Sequence, residues 1–591
     1  MDREFKDVLK EAKRNNLEAK IKIAEKYEVE EKYKDAFKWY LDIVEEEEIS
    51  EIQVKVANYY FDGLGVKQDF DKAIYWYQKA AEYDNVEALV KLASIYKEGN
   101  LVQENLEEAL LLYTKASDFG SDVAKYNLGV MYKNGVGVEI DLGKAFSLFY
   151  ESSILGNIDA KVNLGYCYCN GVGVEVDEIK GVELYKECAD AGHIVALFNL
   201  GMCYISGYGV ELNKENAIKC FEEAGKKGHG RSFYELGKIY ENDLEFKKNI
   251  GFVIDCYQRA VNNGCLEAAI NLADIYFYKG EEKKALYWLD IASDSVEVVY
   301  TLGKYYFDGN YLEQNYAKAL KYLSEAAKCG HLLAQYYMGV SYYYGYGVNE
   351  DEERAIECLK IASENNCLEA IVLLAEIYDK KDMIETNDLL EKAANLNHSN
   401  SIYKLAYNYA HGKYCKRDEE KAVCLYQKAA EMDNCQAQCN LALCYLKGNG
   451  INKNIDFGVY WLERAVKNGS PVAALNLGYC YEDGIGVDRN EYMAEKCYLK
   501  AANQGEVNAQ LAIAKMYKTK DVNESIYWYN KAMVKSFDKA CLGLAEVYLH
   551  DDLFDVDRIK MLLENVENKN TSQYIELNNK FLKKIQEKSS M

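Results

Sequence analysis

The sequence predicts an all-α chain made of about sixteen tandem helix-turn-helix units. Three observations predict it. One unit recurs at a near-constant spacing. Small and bulky residues fall at helical intervals inside that unit. Proline is almost absent: Pro471 is the only one in 591 residues, and no Pro/Gly/Ser-rich linker separates one part of the chain from another.

The spacing comes first, because a missed period misassigns the whole fold. The stretch NLGVMYKNGVGVEIDLGKAFSLFY begins at Asn127, and close variants begin at Asn163, Asn199 and Asn476. Indexed on the Leu of the Leu-Gly pair, the series is Ile23, Val56, Leu92, Leu128, Leu164, Leu200, Leu236, Leu272, Leu302, Met338, Leu374, Leu405, Leu441, Leu477, Ile513 and Leu544. Eleven of the fifteen intervals are 36 residues; the others are 33, 30, 31 and 31. The short intervals follow units without the full glycine-bearing loop, such as YFYKGEEKKALYW from Tyr276. The deletion is therefore in the loop, and both helices survive.

Each element of the unit has a physical reason. In the first helix Ala160, Leu164, Gly165 and Tyr168 fall at i, i+4, i+5 and i+8, one helical stripe. In the second, Ala73, Trp76, Tyr77, Ala80 and Ala81 repeat the pattern. Trp39, Trp76, Trp288, Trp461 and Trp528 share one position there and read as core. Between the helices stand the pairs Gly63/Gly65, Gly135/Gly137, Gly171/Gly173, Gly207/Gly209, Gly345/Gly347, Gly448/Gly450 and Gly484/Gly486, where positive φ lets the chain reverse. Three residues after the next Val or Ile comes Asp69, Asp141, Asp177, Asn213, Asp351, Asn454 or Asn490, the expected N-cap of the second helix.

This pattern, A-x-x-x-L-G-x-x-Y followed by G-x-G-V-x-x-D-x-x-K-A-x-x-W-Y-x-x-A-A, resembles the Sel-one-like repeat (SLR) family, a branch of the TPR-like superhelices. The resemblance covers residues 19–550 and implies a right-handed superhelical solenoid. Residues 1–18 and 551–591 depart from the repeat and read as helical caps (Phe5, Val8 and Leu9; Phe581, Leu582 and Ile585), which solenoids need at open ends. The resemblance implies a non-catalytic scaffold or adaptor that binds a protein or peptide segment in a concave groove lined by the first helices. The position before the Leu belongs to that lining: Asn127, Asn163, Asn199, Asn271, Asn440 and Asn476. An Asn amide offers both a donor and an acceptor, and so grips a peptide backbone whatever its sequence. Asn134, Asn170 and Ser206, then Lys447 and Asp483, follow seven residues on. Tyr126, Phe198, Tyr234 and Tyr336, one residue earlier, add aromatic contact. The competing reading makes these Asn residues bonds to a neighbouring repeat.

Composition narrows the partner. The formal net charge is −24 and no basic stripe is visible, which argues against nucleic acid and anionic membrane and for a basic or amphipathic protein segment. Hydrophobic residues make up 49% of the chain and Tyr alone numbers 53, ample apolar surface for a folded core. The N-terminal MDREFKDVLKEAKRNN lacks a signal-peptide pattern, and no apolar run is long enough to span a bilayer. The expectation is a cytoplasmic protein whose eighteen cysteines are free thiols.

Residues that look chemical are mostly explained by register. His193, His229, His331 and His398 share one position just after the second helix and read as turn residues; His411 and His550 show no obvious partner. The G-x-G pairs follow helices, not strands, so they are not dinucleotide loops. Cys167, Cys203, Cys444 and Cys480 share one packing position, and Cys220, Cys256, Cys358 and Cys497 another. Cys415, Cys424, Cys435, Cys439 and Cys444 are dense but lack C-x-x-C spacing, and neither metal nor cofactor is expected. Two S-x-x-K tetrads, Ser401–Lys404 and Ser536–Lys539, stand without S-D-N or K-T-G elements. A weak hydrolase of the β-lactam-binding SLR type and a secreted, disulfide-containing effector are the alternatives, although no cysteine pair recurs from unit to unit.

Overall fold

The computed structural model describes residues 3–242, 246–550 and 553–589. They form thirty-four helices, α1–α34, and no strand. The first helices of the units are α2 (Leu17–Val29), α4 (Ser50–Asp62), α6 (Val86–Glu98), α8 (Asp122–Asn134), α10 (Ile158–Asn170), α12 (Ile194–Ser206), α14 (Gly230–Glu241) and α16 (Ala268–Tyr278). They continue with α18 (Val296–Asp308), α20 (Leu332–Tyr344), α22 (Leu368–Lys380), α24 (Ser399–His411), α26 (Cys435–Lys447), α28 (Pro471–Asp483), α30 (Val507–Tyr517) and α32 (Phe537–Tyr548). Each carries one register residue, from Ile23 to Leu544. The odd-numbered helices between them are the second helices, among them α9 (Leu142–Ile154), α11 (Glu178–Asp190), α13 (Lys214–Lys226) and α25 (Glu419–Glu431). From α1 to α17, and again from α19 to α34, successive helices pack on one another. The chain falls into two compact units, residues 1–298 and 299–591, and the division lies inside α18.

The motif residues do what their chemistry requires. The alanine four before the register residue is fully buried, as at Ala124, Ala160 and Ala196. At the residue after the register position, a Cβ on Gly165 would lie 2.9 Å from the Tyr185 ring, so glycine there lets the second-helix aromatic ring in. All seven expected second-helix N-caps accept a bond from the backbone N–H three residues on: Asp69, Asp141, Asp177, Asn213, Asp351, Asn454 and Asn490. The first helices are capped in the same way by Asn85, Ser121, Asn157, Asn434 and Ser470. His193 and His331 occupy this same position, and their Nδ1 atoms accept from the Ala196 and Ala334 N–H groups. These histidines are helix caps.

The second loop glycine sets the step between repeats. Gly173 has φ +71, and a Cβ there would sit 2.0 Å from the Leu142 carbonyl oxygen, on the first residue of α9. Gly209 meets Glu178 at the start of α11 in the same way, and Gly450 meets Glu419 at the start of α25. Each loop thus rests on the second-helix start of the repeat before it. Tyr414 takes this place in one loop, at φ +61, and its hydroxyl lies within hydrogen-bond reach of Asp379 at the end of α22.

At the N-terminus, Val8 and Leu9 of α1 (Arg3–Ala12) pack on Ala12, Ala19 and Ile23; the Phe5 side chain lies outside the described residues. In α34 (Ser572–Ser589) Phe581 is buried and Ile585 packs beside it, but Leu582 is half exposed. Residues 1–2, 551–552 and 590–591 also lie outside the described residues.

Gly173→Ala combines an unfavourable φ with a backbone collision, whereas Gly156, at φ +99, has nothing within 4 Å of the added Cβ. Gly173→Ala is expected to destabilise by more than about 2 kcal/mol and Gly156→Ala by about 1 kcal/mol, read as ordered shifts of the thermal unfolding midpoint.

Candidate functional site

Positions −5, −1, +2 and +6 about each register residue lie in one line along the first helix, because i, i+4, i+7 and i+11 share a face. On α8 the line is Val123, Asn127, Val130 and Asn134. On α10 it is Asp159, Asn163, Tyr166 and Asn170, and on α12 it is Val195, Asn199, Met202 and Ser206. All twelve are exposed or half-buried. One of the twelve is charged, and that one, Asp159, pairs with His193 Nε2 at 3.0 Å. In a chain with 28% charged residues such a stretch is unusual. The lines on either side restore the charge: Glu51, Lys55 and Asp62 on α4, Glu87, Lys91 and Glu98 on α6, and Arg231, Glu235 and Lys238 on α14.

The Asn residues are not idle in this face. Asn127 donates from Nδ2 to the Val123 carbonyl at 2.9 Å and accepts from Lys97 Nζ at 3.1 Å. Asn163 donates to the Asp159 carbonyl at 3.0 Å, Asn170 to Tyr166 at 2.9 Å and Asn476 to Val472 at 2.9 Å. Ser206 Oγ donates to the Met202 carbonyl at 2.9 Å. An amide has two N–H groups and a two-lone-pair oxygen; the Asn163 amide also faces the Tyr126 hydroxyl and that of Asn199 the Tyr185 hydroxyl, so beyond these the Asn163 oxygen is left as an acceptor for another group.

The residues predicted from sequence fall into separate places. Asn127, Asn134, Asn163, Asn170, Asn199 and Ser206 come together on α8, α10 and α12. Asn271 stands alone on α16 beside Glu267 and Asp274, and donates to Glu241 at 3.4 Å. Asn440 and Asn476 belong to the second unit. Tyr126, Phe198 and Tyr234 are half-buried and turned onto second-helix rings, at 6.1 Å from Phe149, 5.8 Å from Phe221 and 5.9 Å from Tyr257. The exposed side chains between the Asn rows are those at +2: Tyr166 at 39% and Met202 at 37% exposure. Sequence reasoning passed over this position, although it lies three residues beyond the Asn on the same face.

In the second unit a cleft of about 390 Å³ opens between α24 and α26, with Tyr407, His411, Asn440, Leu443 and Lys447 on its walls. Asn440 donates there to the Tyr426 hydroxyl at 3.3 Å. The stripe of α20, Leu333, Tyr337, Val340 and Tyr344, is also uncharged, but α22 beside it carries Glu369, Glu376 and Lys380.

Ser401 Oγ lies 2.8 Å from His398 Nδ1, but Ser401 is buried and three residues into the helix that His398 precedes, a side-chain pair repeated at His229 and Ser232. Lys404 is 3.0 Å from Glu376. Burial pushes the Cys167 and Cys480 thiols up to about 11 and Cys256 up to about 12, so they persist as protonated packing groups. Among the described residues no cluster of His, Cys, Asp or Glu is placed to hold a metal, and no helix is long and apolar enough to cross a membrane.

Twelve segments match the Sel1 repeat model: residues 50–83, 86–120, 122–157, 158–193, 194–229, 266–295, 298–331, 332–367, 399–434, 435–470, 471–506 and 514–532. They cover more than half of the chain. The chain belongs to the Sel1 repeat family. The Sel1 fold is a repeat scaffold that generally mediates protein–protein interaction. Helices α8, α10 and α12 each open one of the matched Sel1 segments. Among solved structures, a protective antigen of uropathogenic Escherichia coli with an SLR fold is 22% identical across 86% of this chain and 94% of its own, with a TM-score of 0.40. A Sel1 repeat protein from Oxalobacter formigenes is 21% identical across 53% of this chain and 93% of its own, with a TM-score of 0.43. Yeast Tom70 is 14% identical across 86% and 97%, with a TM-score of 0.27.

His229, at the N-cap position of α14 with its Nδ1 on Ser232 Oγ, gives a pH test within the Sel1 array. Burial, and then the nearby Arg231 guanidinium, hold His229 below its ordinary value of 6.5. Above pH 6.5 the imidazole is neutral in both folded and unfolded chains. As pH falls through 6.5, the unfolded chain takes up a proton that the folded repeat resists, so stability drops. Hydrogen exchange in α14, corrected for intrinsic rates, is expected to accelerate between pH 7 and pH 5, and His229→Asn, which retains a cap, is expected to reduce that acceleration.

Proposed function

We propose that this Sel1 repeat protein is a non-catalytic adaptor that captures an extended protein segment across α8, α10 and α12. One observation carries this reading: the near-absence of charge along twelve exposed positions that the neighbouring repeats fill with Glu, Lys and Arg. A surface poor in ionised groups costs less to desolvate than a charged one; besides Asp159, Lys97 on Asn127 and Lys133 over the Tyr166 ring bring charge to it. Its apolar members, Val123, Tyr166, Val195 and Met202, lose water favourably when covered. The amides of Asn127, Asn163 and Asn199 recur once per repeat, so they meet a bound backbone at regular intervals with main-chain hydrogen bonds. The bound stretch is itself uncharged, and the −24 chain around it favours basic residues at its ends. Buried thiols that pack as small apolar side chains fit a reducing, cytoplasmic setting.

The test starts from a partner recovered with the full chain and identified by mass spectrometry. Asn127→Ala, Asn163→Ala and Asn199→Ala together are expected to weaken that partner's affinity by roughly tenfold to a hundredfold, and Tyr166→Ala with Met202→Ala by a similar factor, at an unchanged circular dichroism spectrum. Wild-type affinity in both variants would contradict the reading.

A further inference from the structure

We propose that the loop edge of the first unit, at Ile140, Val176 and Leu212, is a second docking surface, and that it takes the apolar face of a cationic amphipathic helix from a partner protein. These three residues occupy one repeat position, immediately before the N-cap of α9, α11 and α13. They are 65%, 57% and 68% exposed. The same position is polar elsewhere: Gln68 and Glu104 earlier in the chain, and Gln314, Glu350, Lys453 and Arg489 in the second unit. Three consecutive repeats therefore share a departure that their fold does not ask for.

Local packing does not account for it. A residue before an N-cap often folds over the fourth helical residue as a hydrophobic staple. Here those residues are Ala145, Gly181 and Ala217, too small to cover a branched side chain. The Ile140 and Val176 side chains touch the backbone of their own loops at Gly135 and Gly171 and leave the rest in water. The three sites recur in register along one edge, because the loop carrying Gly173 rests on Leu142 and the loop carrying Gly209 rests on Glu178. Leu142 and Ile179, two and three residues beyond Ile140 and Val176, are also 39% and 66% exposed.

Charge selects the occupant. Glu139, Glu175 and Glu211 immediately precede the three apolar residues, and all three are exposed. Among the described residues none of them forms an ion pair. The edge thus presents an alternation of aliphatic side chain and open carboxylate, once per repeat. A helix with apolar residues on one face and Lys or Arg along its borders satisfies both components. A second copy of this acidic chain brings the wrong sign of charge.

The row lies on the loops, apart from the Asn127–Asn163–Asn199 face, so the two surfaces fail or succeed separately. The probe is a fluorescein-labelled synthetic Leu/Lys amphipathic helix, with a control of equal charge in which Ser replaces every Leu. Binding to the full chain is read by anisotropy at two salt concentrations. The wild type is expected to bind the Leu/Lys helix at least about tenfold more tightly than the Ser control. Ile140→Ser, Val176→Ser and Leu212→Ser together are expected to remove that difference. Glu139→Gln, Glu175→Gln and Glu211→Gln are expected to weaken binding several-fold and flatten its salt dependence. Asn127→Ala, Asn163→Ala and Asn199→Ala are expected to leave it unchanged. Circular dichroism checks the fold of each variant, all of whose substituted ridge residues are exposed. The proposal is overturned if the wild type does not bind the Leu/Lys helix, if it binds the Ser control equally well, or if the triple Ser variant matches the wild type. It is also overturned if light scattering shows that the wild type self-associates through this edge and the triple Ser variant does not.

Discussion

One contact recurs through the glycine-looped repeats: the second loop glycine of one unit resting on the first residue of the preceding unit's second helix. It needs a left-handed backbone and the absence of a Cβ, as the 2.0 Å approach of a Cβ at Gly173 to the Leu142 carbonyl shows. The contact fixes where each first helix ends relative to the previous unit. The N-cap carboxylate or amide then fixes where each second helix begins. With both ends set, alanines four before the register residue, such as Ala124, Ala160 and Ala196, can be fully buried, and aromatic rings such as Tyr185 enter the space that Gly165 leaves.

Uniform spacing turns small sequence changes into surfaces. A repeat protein shows the same four first-helix positions at every step, so a run of similar residues at those positions becomes a contiguous patch. Charge at most steps keeps the array soluble and discourages contact. Its withdrawal across α8, α10 and α12 produces the candidate binding face, and the exposed aliphatic row on the adjoining loops belongs to the same three repeats. The rest of the molecule supports this local change without sharing in it. In the second unit the uncharged stripe stops at α20, since α22 returns Glu369, Glu376 and Lys380.

Much of this was legible in the sequence. The register residues each fall in a helix, and the seven predicted N-caps all make their bond, because both depend on local geometry that a single residue type satisfies. The Asn rows were legible as positions, but their bonds to carbonyls four residues earlier were not, since side-chain direction depends on the rotamer and the neighbouring repeat. Tyr126, Phe198 and Tyr234 were assigned to aromatic contact in the groove, and the fold turns them onto Phe149, Phe221 and Tyr257. A single residue on a helix cannot reveal which of two flanking layers it meets. The histidines were recognised as sharing a turn position; their role as caps needed the structure, because a ring nitrogen replaces the usual Asn or Ser oxygen. The division inside α18 had no linker, proline or change of composition to announce it.

The proposed adaptor role requires a partner to cover α8, α10 and α12. Hydrogen exchange of the full chain, alone and saturated with its co-purified partner, measures this directly. Slower exchange concentrated in those three helices is the predicted result. Protection confined to other helices, with α8, α10 and α12 exchanging as in the free chain, would contradict it.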